Sequence, residues 1–187
     1  MREKINFGLI GTGSFGKKRA KSISESNNAY LYGVFDENLN TSKLVSEELK
    51  TKALSEDEIF KNKEIDVICI CAPNIYHKYY IRKAIENNKH IFCEKPLVRN
   101  LQEAEELIHL SKNYKKKIQI GSNHRFFESV IYAKKLVNEN TIGEILSFNG
   151  RIGHNGERLK DSWFWQKNIS GGGTLLDNGC HLLDLSR

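Results

Sequence analysis

No apolar run in this 187-residue chain approaches the roughly 20 residues that a membrane-spanning helix needs. The opening residues, MREKINFGLIGTGSFG, pass from charge straight into a strand pattern, with no secretory apolar segment and no small-residue cleavage site. A cytoplasmic location and no membrane partner are therefore expected. The four cysteines never adopt C-x-x-C spacing, which argues against a zinc or thioredoxin-like centre, so no metal is expected. Cys69 and Cys71 alternate with Ile68 and Ile70 in one apolar run; they are expected on opposite faces, unable to pair with each other. Reduced, mostly buried thiols are the reading for all four. The formal charge of +6 has no basic stripe interleaved with aromatics behind it. Its densest run, Lys115-Lys116-Lys117, falls at the end of a predicted helix, where cations suit the macrodipole, so no nucleic-acid partner is expected. No internal repeat or low-complexity linker is present.

What remains is the composition of an ordinary globular protein, 39% hydrophobic and 28% charged. Apolar strand patterns at 4–10, 30–35, 65–71, 89–93 and 118–121 alternate with helical patterns at about 14–26, 41–49, 76–86 and 101–113. The run Ile65–Cys71 is continuously apolar, as a strand buried on both faces of a parallel sheet should be. Ser55-Glu56-Asp57-Glu58 has the look of a capping box opening a further short helix. This alternation predicts an α/β fold, a Rossmann-type doubly wound parallel sheet over residues 1–122. Beyond about residue 123 the pattern changes. A helix within 124–140, a strand at 143–152 and an irregular aromatic stretch at 153–170 read as the start of an α+β second domain over 123–187.

Gly11-Thr12-Gly13-Ser14-Phe15-Gly16 follows a strand and opens a helix, with Asp36 twenty residues after Gly16. Gly11 would permit the tight turn, Gly13 would let the backbone approach a pyrophosphate, and Gly16 would allow close helix–strand packing. The helix N-terminus supplies free N–H groups for phosphates. Asp36 would accept the adenosine ribose hydroxyls and, with Glu37 beside it, would repel a 2′-phosphate, favouring NAD over NADP. Alternatively, the glycines simply make a turn and Asp36 caps the following helix.

Two further patterns are ambiguous by themselves. Glu94-Lys95-Pro96 follows a predicted strand, where ligands sit in open α/β sheets. Its ammonium suits a developing oxyanion, and Pro96 makes a cis peptide available that would aim Lys95. A lysine before proline is also an ordinary solvated turn. Asp177 and His181, behind the triplet Gly171-Gly172-Gly173, are four apart and would share one helix face. His181 should titrate near neutrality and take a hydroxyl proton, with Asp177 orienting it or bonding a sugar. A surface hydrogen-bonded pair has the same spacing. Trp163 and Trp165 fit a wall against a sugar ring and fit a core equally.

With Ala72-Pro73-Asn74 and His77 after one strand, Glu94-Lys95-Pro96 after the next, and Asp177…His181 behind the glycines, the whole chain resembles the Gfo/Idh/MocA oxidoreductases. That group includes glucose–fructose oxidoreductase and inositol dehydrogenase. The resemblance implies an NAD-dependent dehydrogenase acting on a secondary alcohol of a sugar, cyclitol or nucleotide sugar. It implies cofactor contacts at Gly11, Thr12, Gly13, Ser14, Phe15, Gly16, Asp36, Ala72, Pro73, Asn74, His77, Glu94 and Lys95. It makes Lys95, Asp177 and His181 catalytic, and places Arg125 and Trp163 with them near the substrate.

Length departs from that pattern. The family's C-terminal domain is built on a large, mostly antiparallel sheet that shapes the pocket and commonly mediates homo-oligomer formation. Only the strand near 143–152 and the helix at 174–187 fit it here, so the chain is expected to stop inside that domain. A non-catalytic dinucleotide-binding fragment or pseudoenzyme is the alternative.

Overall fold

The computed structural model of the protein describes residues 4–187. Six parallel strands form one sheet in the order β3-β2-β1-β4-β5-β6. They are β1 (Ile5–Ile10), β2 (Ala29–Phe35), β3 (Lys52–Ala53), β4 (Val67–Ile70), β5 (His90–Cys93) and β6 (Ile118–Ile120). From β1 the chain steps outward through β2 and β3, then returns to the other side of β1 for β4, β5 and β6. The reversal leaves a crevice at the carboxyl ends of β1 and β4, where open α/β sheets bind ligands.

The interleaved helices are α1 (Ser14–Ser24), α2 (Leu39–Glu48), α3 (Glu56–Lys61), α4 (Asn74–Glu86) and α5 (Leu101–Ser111). Side-chain alternation in the central strands feeds two cores. Ile68 and Ile70 pack with Ile10, Phe60, Ile81, Ile91 and Leu107, whereas Leu9, Leu31, Val34 and Cys69 pack with Ala20 and Val45. Each such fully buried aliphatic side chain contributes about 1.5–3 kcal/mol relative to an exposed one. Ser55 and Glu58 do form a capping box, each bonding the other's backbone N–H. The two-residue β3 had no sequence signal; it is an edge strand held to Gly33 and Val34 of β2.

Two sequence expectations fail here. Cys69 and Cys71 do not face opposite ways. Residues two apart in a strand share a face, and their Sγ atoms lie 3.8 Å apart, although both thiols remain free. The strand predicted at 143–152 is absent: the segment is irregular, and Ile145, Leu146 and Phe148 are exposed. An extended segment becomes a strand only by hydrogen bonding to a neighbour, and among the described residues none lies beside it.

After β6 come a 3-10 turn at Asn123–Phe126, α6 (Glu128–Asn138), short 3-10 turns at Glu157–Leu159 and Trp163–Trp165, and α7 (Lys167–Ser170), α8 (Thr174–Asp177) and α9 (Gly179–Leu185). α7 packs on α4, and α9 on the 3-10 turn after β6, so this half meets the sheet along its carboxyl edge. No helix among the described residues is long and apolar enough to cross a membrane.

Ile68 is fully buried and Leu146 is 89% exposed. Ile68→Ala should lower the unfolding free energy by about 3 kcal/mol. Leu146→Ser should change it by less than about 0.5 kcal/mol. Urea melts of the two variants check the contrast.

Candidate active site

The glycine loop joins β1 to α1 at the crevice. Gly11 has φ 88°, and a Cβ there would press on the Cys71–Ala72 backbone at 2.7 Å. A Cβ on Gly16 would meet the Gly11 carbonyl oxygen at 1.8 Å, so only glycine lets α1 begin this close to the turn. At Gly13 a Cβ would meet nothing within 4 Å. Gly13 also caps α1 without a side-chain hydrogen bond, leaving the first-turn N–H groups open. Open space, free N–H groups and exposed Ser14 and Phe15 fit the diphosphate of a dinucleotide.

Thr12 is buried, and Asp36 Oδ2 accepts both its N–H (2.6 Å) and its hydroxyl (3.0 Å). Its side chain therefore fastens the loop to the end of β2 instead of facing the crevice. The other Asp36 oxygen accepts the Asn38 N–H at 2.9 Å, while α2 is capped by Asn38 itself. Asp36 is partly exposed, so these bonds orient the carboxylate at the rim.

At the carboxyl end of β4, Ala72 and Pro73 lead into α4. Asn74 is buried, and its amide donates to the Ser170 carbonyl at 2.7 Å, tying this loop to α7. His77 is also buried, between the carbonyls of Ala72 (2.8 Å) and Pro96 (2.9 Å), so its ring braces two loops from beneath. Burial pushes its pKa down against the pull of those carbonyls. Glu94, at the end of β5, is buried and accepts from Arg19 Nε of α1 at 2.5 Å. Burial raises its pKa, with Arg19 opposing. Glu94 thus stiffens the β5 end beneath the loop. The next peptide bond, Lys95–Pro96, is cis.

Lys95 crosses to the glycine-triplet segment. Its Nζ donates to Asp177 Oδ1 at 2.7 Å and to the Asp177 backbone carbonyl at 3.0 Å, with both side chains about four-fifths buried. The Cys180 thiol donates to that same carbonyl at 3.2 Å. In a continuous helix the carbonyl would accept the N–H of His181. That N–H goes instead to Asn178, and the helix breaks into α8 and α9. The expectation of one unbroken helix face for Asp177 and His181 is corrected accordingly: Asp177 belongs to Lys95.

His181 is buried and stacks on His124, ring centroids 3.7 Å apart and planes 9° from parallel. His124 stacks in turn on Phe127. Burial, the neighbouring His124 and the Lys95 ammonium push the His181 pKa down to about 4, Asp177 and Asp184 opposing. It does not titrate near neutrality, as its type alone suggested; it is a neutral base at pH 7.

Arg125 forms a two-pronged pair with Asp184 of α9, through Nε at 2.6 Å and Nη2. It steadies α9 from an exposed position. Trp163 stacks on its neighbour Phe164 at 3.9 Å. The structure thus joins Lys95, Asp177 and His181, places Arg125 one helix turn away through Asp184, and gives Trp163 its own stack. Sequence reading missed His124, Asp184 and Arg19. Only His124 carried a signal, since it stands beside Arg125 a few residues past a strand's carboxyl end.

His181 stays neutral in the folded chain down to about pH 4, whereas an unperturbed histidine binds its proton near 6.5. Between those values the unfolded chain holds more protons, so the His181 contribution to stability falls as acid is added through that window. Imidazole NMR titration should place the His181 midpoint near 4. A midpoint above 6 would contradict it. The loss of stability between pH 6.5 and 4 should be smaller in His181→Phe.

Known proteins share this fold. Residues 5–122 match the family described as "Oxidoreductase family, NAD-binding Rossmann fold", and residues 130–187 match the GFO/IDH/MocA C-terminal domain. A 2,7-anhydro-N-acetylneuraminate hydratase of Escherichia coli (strain K12) is 33% identical over 170 residues, spanning 90% of this chain and 45% of that protein. The structure of levoglucosan dehydrogenase in complex with NADH and levoglucosan superposes with a TM-score of 0.85 at 29% identity, over 98% of this chain and 53% of the other. Scyllo-inositol dehydrogenase from Lactobacillus casei, with bound NAD(H) and scyllo-inositol, gives 0.72 at 29% identity, over 76% and 43%. The chain spans about half the length of the curated relatives it matches. It belongs to the Gfo/Idh/MocA oxidoreductase family, with the family's NAD-binding Rossmann fold at residues 5–122.

Proposed function

We propose that this chain carries the cofactor site and the acid–base residues of an NAD-dependent dehydrogenase acting on a secondary alcohol of a sugar or cyclitol. The observation that carries the reading is the Lys95 ammonium, held by Asp177 and near a buried neutral histidine, on the same carboxyl edge of the sheet as the glycine loop. NAD, when bound, supplies the hydride acceptor. Gly13 and the first turn of α1 would hold its diphosphate, and Asp36 the adenosine ribose, whose second hydroxyl suits a carboxylate better than a 2′-phosphate would.

Lys95 would donate a hydrogen bond to the carbinol oxygen and stabilise the charge that develops there as hydride departs. His181, uncharged at neutral pH, would take the hydroxyl proton. The resulting imidazolium is opposed by burial and Lys95 and favoured by Asp177 and Asp184. Arg125 would act by steadying α9 through Asp184. The names of the inositol and levoglucosan relatives support a polyol or anhydro sugar as substrate.

A second reading is favoured by the hydratase relative: net addition of water to an anhydro sugar at the same acid–base pair, with no accumulation of NADH. Product mass separates the two, since hydration adds one water and dehydrogenation removes two hydrogens.

Gly13→Ala should fold like the parent, because its Cβ enters open space, yet bind NADH about tenfold more weakly by fluorescence titration, with the methyl where a phosphate would approach. Unchanged affinity would remove the loop from the cofactor site. In a form that turns over polyols, Lys95→Ala and His181→Ala should each lower kcat by about 100-fold or more. Variants that oxidise polyols as fast as the parent would defeat the dehydrogenase reading. NADH binding without turnover in any polyol or nucleotide-sugar screen would instead mark a non-catalytic binding fragment.

A further inference from the structure

His77 is a buried titratable side chain with no place in the proposed chemistry. It lies on the first turn of α4, 1% exposed, and its two ring nitrogens contact two different loops. Nε2 is 2.8 Å from the Ala72 carbonyl, in the turn leaving β4. Nδ1 is 2.9 Å from the Pro96 carbonyl, in the turn leaving β5 directly after Lys95. The β4 turn is the one the proposed function sets along the dinucleotide, and the β5 turn carries Lys95. Both carbonyls are acceptors, and a neutral imidazole has one N–H. The ring is therefore a single rigid strut whose hydrogen bond to one loop is made in competition with the other.

Thr12 and Asp36 join the turns after β1 and β2 in the same way; His77 does so for the turns after β4 and β5. Asn74 ties the β4 turn to Ser170, and Lys95 ties the β5 turn to Asp177. Each of those bonds joins a sheet turn to the 167–177 segment, whereas His77 joins the two sheet turns to each other.

We propose that His77 is a positioning residue that sets the cofactor-side turn at Ala72 and the lysine turn at Lys95–Pro96 relative to one another, its single N–H shared between the two carbonyls. The proposal rests on the dehydrogenase reading for the meaning of the two turns. The strut itself rests on geometry.

Two near-isosteric substitutions separate its halves. The Asn amide nitrogen sits where Nδ1 lies, so His77→Asn commits the donor to Pro96 and leaves Ala72 without one. The Gln amide nitrogen reaches the place of Nε2, so His77→Gln does the reverse. Two readouts follow, neither needing turnover: the NADH dissociation constant by fluorescence titration, and the rate of reductive methylation of Lys95, followed by peptide mass spectrometry. His77→Asn should weaken NADH binding by roughly three- to tenfold, the scale of one lost hydrogen bond, and leave Lys95 reactivity at or below the parent value. His77→Gln should leave NADH affinity near the parent value and speed Lys95 methylation by a similar factor, as Lys95 loosens from Asp177.

The proposal is overturned if both variants move both readouts by the same factor, which is general loosening, or if neither moves either. Should the variants fail to fold, the unmutated protein decides: added NADH should shift the His77 ring nitrogen resonances together with the amide of Leu97, which shares its peptide group with the Pro96 carbonyl, and unmoved resonances would overturn the proposal. A parent chain that binds no NADH would defeat the dehydrogenase reading instead, while Lys95 reactivity in His77→Gln would still decide the Pro96 half of the strut.

Discussion

The grip of Lys95 on Asp177 is the interaction on which the site depends. One ammonium takes both the carboxylate and the backbone carbonyl of the same residue. Burying two charges costs several kcal/mol per ion before their attraction is counted, so such a pair holds only when its hydrogen bonds are well made. Here the second bond reaches into the helix backbone. By occupying the Asp177 carbonyl, Lys95 and the Cys180 thiol divert the hydrogen-bond ladder and set the boundary between α8 and α9. The break leaves His181 buried against His124 while Asp177 bonds Lys95. A regular helix would have stacked Asp177 and His181 on one face.

Other bonds across the same seam are polar as well. Asn74 holds the Ser170 carbonyl and Arg99 the Asn168 carbonyl. A Cβ on Gly171 would run into Arg99, so the first glycine of the triplet is a point of close approach between the two halves. Each neutral bond adds on the order of 1 kcal/mol. Their value lies in direction, since a hydrogen bond fixes angle and distance where an apolar contact allows sliding. The apolar surface of the second half lies elsewhere, on α6 and on residues 142–148, where Ile131, Tyr132, Ile142 and Leu146 are exposed.

Much of the sheet half was legible in the sequence because its signals are local. A continuous apolar run marked β4, which is buried on both faces, and Ser55–Glu58 announced the capping of α3. The glycine loop declared itself through spacing, since one backbone shape demands those glycines. What escaped depended on neighbours. β3 is two residues held by β2, and the segment at 143–152 has the alternation of a strand but no partner strand. The cysteine error came from misreading a period of two. At the site, Lys95, Asp177 and His181 were found by motif, but their pairing was not. Sequence spacing joined Asp177 to His181, and the fold joined it to a lysine 82 residues away.

The sequence by itself therefore determined the order of elements, the doubly wound parallel sheet and the residue types gathered at its carboxyl edge. Those follow from periodicity, glycine stereochemistry and strand burial, which act over a few residues. Only the tertiary structure decided that Asp36 fastens Thr12, that His77 bridges two turns, and that His181 is a neutral base with its pKa pushed to about 4. Protonation and pairing in a buried site are set by desolvation and by charges a few ångströms away. Those neighbours come from distant parts of the chain and meet only when it folds.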